Sequence, residues 1–115
     1  MEGIELISFE IISNVGTAKS LFIEAINLAK SNKIEEAYTK IEVGEQHFLK
    51  GHHAHAKLVQ QEAAGENFNI TMLLLHAEDQ LMSAESFKIL SKQFIQLYEE
   101  ISKLGTKINV HYKCN

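Results

Sequence analysis

The sequence predicts an all-α fold, an antiparallel three-helix bundle, on three observations. Apolar residues recur at steps of three and four along most of the 115-residue chain, as on buried helix faces. Pro is absent, so nothing forces a kink, and Gly is limited to six positions. Strand-like alternation is missing, and two short polar stretches, Ser31-Asn32-Lys33 and Gly65-Glu66-Asn67-Phe68-Asn69, divide the chain into three segments.

The first segment spans residues 4–30. Its stripe is Ile4, Ile7, Ile11, Val15, Ala18, Phe22, Ala25 and Ala29, widened by Leu21, Ile26 and Leu28. Gly16 inside it either permits a close helix contact or is tolerated at about 1 kcal/mol relative to Ala. The second segment, 34–64, carries a thinner stripe of Ile34, Ala37, Ile41, Phe48, His55 and Val59, and Gly44 and Gly51 weaken its middle. His47, His52, His53 and His55 crowd this segment. The last and His52 stand three apart and share a face. No third zinc ligand at a suitable spacing accompanies them, so a solvated or docking surface is the expectation.

The third segment spans 70–107. Leu73, His76, Gln80, Ser83, Phe87, Leu90, Phe94, Leu97, Ile101 and Leu104 alternate steps of three and four without a break. The lower half of this seam is apolar, as a packed bundle requires. The upper half puts His76, Gln80 and Ser83 where large hydrophobes belong. Polar groups on a core seam are costly unless paired or used, and such departures from pattern concentrate at functional sites.

Composition narrows the function. The chain carries 15 acidic and 11 basic residues, a net charge of −4, and every basic residue is Lys. A nucleic-acid binder would show a basic surplus and Arg forks, so that class is excluded. Any phosphate must be held by Lys, His, hydroxyls, backbone N–H groups or a partner. The single Cys114 has no internal disulfide partner, which fits a reducing compartment, and it reads as an inert tail residue. The N-terminal stretch has Glu2, Glu5 and Glu10 and no basic region, unlike a signal peptide. The longest aliphatic run, Met72 to Leu75, is far short of a membrane span. A cytoplasmic protein without membrane insertion is expected.

His76 has two readings from the residues alone. One is a core-facing imidazole hydrogen-bonded to a neighbour such as Gln80. The other is a phosphoryl acceptor, because an imidazole offers a nucleophilic ring nitrogen near neutral pH while a partner such as Gln80 fixes the tautomer. Asp79 likewise reads as a solvated helix acid, or as a carboxylate that meets its copies about a shared axis and binds a hard cation through oxygen.

The run His76-Ala77-Glu78-Asp79-Gln80-Leu81-Met82, preceded by Leu73-Leu74-Leu75, resembles the signature of enzyme IIA of the lactose/cellobiose type in the sugar phosphotransferase system. Ile11 to Ala18 is similar to the opening of that family, and Gln60-Gln61-Glu62-Ala63 to the end of its second helix. The resemblance implies a homotrimer with a nine-helix core. It also implies that His76 accepts a phosphoryl group from HPr and passes it to a cysteine of the cognate enzyme IIB. Asp79, one from each of three subunits, would hold a divalent metal ion at the trimer axis, magnesium being expected. No direct sugar contact is implied. Many relatives carry Gln in place of Glu78 and His in place of Gln80, so neither side chain is expected to be essential. Two other classes compete. A non-catalytic helical adaptor would use the polar seam residues to set register. A four-helix metalloprotein would need Glu-x-x-His pairs, which His76-x-x-Asp79 matches only in reverse.

Overall fold

The computed structural model describes residues 3–114, with side chains through Lys107. The thiol of Cys114 lies outside the described residues. Three helices follow in order, α1 (Gly3–Lys30), α2 (Ile34–Ala63) and α3 (Met72–Cys114). The third is longer than the pattern placed it, because nothing after Lys107 interrupts the backbone ladder.

Local chemistry sets the turns. The Asn32 N–H donates to Ala29 O at 2.9 Å and the Lys33 N–H to Leu28 O at 2.9 Å, with Asn32 in the left-handed region at φ 64°. This closes α1 by satisfying carbonyls that would otherwise be orphaned, and Asn tolerates the conformation better than most side chains. Gly65, at φ 89°, closes α2 in the same way, its N–H and that of Glu66 donating to Glu62 O and Gln61 O. Thr71 caps α3, its Oγ1 accepting from the Leu74 N–H at 3.1 Å.

Side-chain pairs establish direction. Gly51 lies against Val15 and Gly44 against Phe22, so α2 runs antiparallel to α1. His55 meets Glu78, Phe48 meets Lys88 and Tyr38 meets Glu99, so α3 runs antiparallel to α2 and parallel to α1. Lys19 over the Phe87 ring joins α1 to α3 at the same level.

The core is built from α1's predicted stripe, with Ile11, Val15, Ala18, Phe22, Ala25 and Ala29 buried. Buried Ser8 joins the stripe at its upper end, its hydroxyl donating to Ile4 O at 2.8 Å, and Ile4 and Ile7 pack half-buried against the core. On α2 the buried set is Ala37, Ile41, Gly44, Phe48, Gly51, Ala54 and Leu58. The expected stripe is corrected here, since Val59 is exposed and His55 half-buried, while both glycines are core positions. They allow α1 to approach closely, for a Cβ on Gly44 would sit 2.6 Å from Phe22 Cε1. Among the described residues nothing lies within 4 Å of a Cβ placed on Gly16, so no close contact there calls for a glycine.

The expected α3 seam is also corrected. The buried positions are Leu74, Ala77, Leu81, Ala84, Ser91 and Ile95, one residue out of phase with it. Leu73, Gln80, Ser83 and Phe87 lie half-buried at the flank, and Leu90, Phe94, Leu97, Ile101 and Leu104 are exposed. An uncovered apolar stripe runs along the side of α3 away from its own chain. Met72, Leu75, Met82, Ile89, Leu90, Leu97, Ile101 and Leu104 are each at least 50% exposed along it. Patches this continuous mark contact surfaces rather than solvated faces.

By length and composition α1 is apolar enough to cross a membrane. Here it is the central core helix, packing its small and aliphatic stripe against both neighbours.

Candidate functional site

His76 stands one turn into α3, on the flank nearer α1, with its side chain exposed. Asp79 follows on the uncovered apolar face, between Leu75 and Met82, and is also exposed. Gln80, one turn after His76, is half-buried on the same flank. The polar contacts around this turn are the Thr71 cap of Leu74 and an ion pair between His55 Nε2 and Glu78 Oε1. Neither engages His76, Asp79 or Gln80, so within one chain no hydrogen bond joins Gln80 to the His76 ring.

The His55–Glu78 pair is the feature that sequence reasoning missed. His55 is one of four histidines that crowd α2, and it pairs with Glu78 of α3. His52 and His53 point outward, and His52 stacks on Phe48 with ring centroids 6.4 Å apart. The signal available was the antiparallel register of α2 and α3, which needs a tertiary contact to fix it.

A groove of about 550 Å³ lies between α2 and α3, away from His76. Glu42, Glu45 and Glu85 line it beside His52 and Lys88, a carboxylate excess unsuited to a phosphoryl group.

Among the described residues no three His, Cys, Asp or Glu side chains of one chain gather into a metal-holding group. A cation at Asp79 would need donors beyond those that one such group of described residues supplies. The carboxylate suits that use, since it is exposed on an apolar stripe and enters none of the three ion pairs among the described residues. Oxygen donors of this type select hard divalent cations.

The arrangement thus offers an accessible imidazole beside a contact face that carries one carboxylate. Similarity to known proteins gives this chemistry its context. Residues 6–99 match the family described as PTS system, Lactose/Cellobiose specific IIA subunit. The lichenan-specific phosphotransferase enzyme IIA component of Bacillus subtilis (strain 168) is 40% identical over 102 residues, covering 89% of this chain and 93% of that protein. The lactose-specific EIIA component of Staphylococcus epidermidis is 33% identical, over 84% of this chain and 93% of its own length. Among solved structures, the PTS cellobiose-specific enzyme IIA from Bacillus anthracis superposes with a TM-score of 0.87 at 38% identity, covering 90% of this chain and 94% of that one. The chain belongs to the lactose/cellobiose-specific IIA family of the phosphotransferase system, and its role is that of a phosphotransferase component.

Proposed function

We propose that this chain is a phosphocarrier that takes a phosphoryl group from phospho-HPr onto His76. It then delivers the group to a cysteine of the cognate enzyme IIB, for uptake of a lactose/cellobiose-type sugar. The observation that carries the reading is the setting of His76, an exposed ring without a hydrogen-bond partner among the described residues, in a protein of the IIA family. A ring nitrogen attacks phosphorus as the bond to the donor breaks, and the electron pair leaves with the donor atom. Such transfers pass through a loose, in-line transition state, so positioning and charge compensation are the protein's main contributions.

The uncovered face of α3 supports the trimeric part of the reading. Met72, Leu75, Asp79, Met82, Ser86 and Ile89 are spaced as the a and d positions of a heptad. Packed around a threefold axis, three such stripes make a nine-helix homotrimer and remove the exposed Leu, Met and Ile side chains from water, at about 25 cal/mol per Å² of apolar surface. Asp79 of each subunit then faces its copies, and a divalent metal ion, magnesium by our reading, is held by these three carboxylates. When bound, the ion offsets their mutual repulsion. The transfer itself belongs to His76. The protein acts in the cytoplasm, without contacting the sugar.

The test is incubation with enzyme I, HPr and phosphoenolpyruvate, followed by intact-mass measurement of wild type and His76→Ala. Wild type gains one phosphoryl mass and the variant none. Incorporation in the variant would move the site elsewhere, and none in either would favour a non-catalytic adaptor.

A further inference from the structure

His76 and Glu78 lie on opposite flanks of one helix. Each residue turns about 100° around the axis, so two residues place these side chains on either side of the apolar stripe between them. In the heptad that puts Asp79 at an a position, His76 occupies e and Glu78 occupies g. The two differ in height by about 3 Å, given the rise of 1.5 Å per residue.

Rotation about a threefold axis parallel to α3 preserves height and turns one flank of each helix toward the opposite flank of the next. The e side of one subunit therefore faces the g side of its neighbour. The g side of α3 is not bare. Glu78 holds His55 of α2 there, with the His55 side chain 22% exposed. The pair thus stands on the surface that would approach the neighbour's His76.

The chemistry of the two sites is complementary. A phosphoryl group on His76 brings negative charge to a place where its own chain supplies no Arg and, among the described residues, no ion pair. His55 binds Glu78 through Nε2, and among the described residues no hydrogen bond is made at its Nδ1. In the imidazolium form, Nδ1–H is a charge-assisted donor suited to a phosphoryl oxygen.

We propose that His55 of one subunit, held by Glu78, donates its Nδ1–H to the phosphoryl group carried on His76 of the neighbouring subunit. The inference rests on the trimeric phosphocarrier reading above. Its role is hydrogen bonding throughout. No bond to His55 forms or breaks, and the phosphoryl group passes directly from donor to His76. His55 is a catalytic residue acting in trans, and Glu78 is a positioning residue that orients its ring.

Subunit mixing tests it. His55→Ala and His55→Gln each slow phosphoryl acceptance from phospho-HPr by about tenfold, the scale of one lost charge-assisted hydrogen bond. Helical content and sedimentation confirm that both variants remain folded trimers. His76→Ala subunits, inert themselves but carrying intact His55, are then co-assembled with His55→Ala subunits. Donation in trans predicts that a fast phase returns in the His55→Ala chains, read by their distinct mass. Glu78→Gln, which keeps an acceptor for the ring, recovers more of the rate than Glu78→Ala. If the mixed trimers stay as slow as the His55→Ala homotrimer, donation in trans is wrong while the trimer stands. Monomeric wild type would overturn the trimer and this proposal with it, and wild type that takes no phosphoryl group would overturn the carrier reading first.

Discussion

Gly51 meets Val15 with no room between them, because a Cβ on the glycine would lie 2.6 Å from Val15 Cγ1. Real Cβ atoms do not approach so closely, so Gly51→Ala must push α2 away from α1. Overpacking of this kind costs about 1–3 kcal/mol, partly offset by the roughly 1 kcal/mol that Ala gains over Gly in a helix. A lowered urea midpoint is expected, with an unchanged slope. Gly16→Ala is the control, since nothing among the described residues crowds that position, and it should raise the midpoint, with a stability gain of up to about 1 kcal/mol.

Tyr38 donates its phenolic O–H to Glu99, and this hydrogen bond, with burial and the carboxylate's charge behind it, raises the phenol above its ordinary value of 10.0. A raised folded-state value means that the contact contributes fully below pH 10.0 and is lost as pH climbs through the folded value. Alkaline unfolding of wild type should therefore steepen above that pH, and Tyr38→Phe should flatten the difference. Ultraviolet titration of the phenolate band, compared with Tyr38→Phe, would check it, since a Tyr38 that ionises at its ordinary value would contradict the hydrogen bond.

Asp79→Leu should leave the assembly trimeric and indifferent to chelator. Replacing buried ionic groups by apolar ones of similar size is often neutral or stabilising by about 1–4 kcal/mol. Sedimentation with and without EDTA gives the answer, and dissociation of the variant would argue that the carboxylates hold the trimer together.

Ile89→Glu places a carboxylate on the exposed apolar stripe of α3, away from the core of its own chain. The chain should keep its helical signal and thermal transition at high dilution yet sediment as a monomer, because three added charges would meet at the axis. A variant that stays trimeric would relocate the interface to another face.

Helix class and the breaks at Asn32 and Gly65 were legible because local chemistry writes them, in left-handed caps and a missing Pro. The phase of α3 was not. Leu73, Leu74 and Leu75 are all apolar, as are Ile89 and Leu90, so periodicity supports several stripes at once. Burial selected the one with small residues, Ala77, Ala84 and Ser91, which lets the helices approach. The glycines of α2 misled for the same reason, reading as weaknesses where they are contact points. His76 and Asp79 stood out by chemistry against an apolar background, whereas His55 needed a partner from a helix more than twenty residues away.

The length of α3 carries one more consequence. Its 43 residues outrun the 28 of α1 and 30 of α2, and past Ser102 the described side chains, Lys103 to Lys107, are exposed. An isolated helical stretch shorter than about 12–15 residues is marginal in water, so the backbone at 103–107 gains support when copies of it pack together. Amide protons there would trade with solvent quickly in dilute protein and slowly once subunits associate. Isotope uptake at this one tip would then report how much of the population is assembled, at a distance from the phosphoryl chemistry and undisturbed by it.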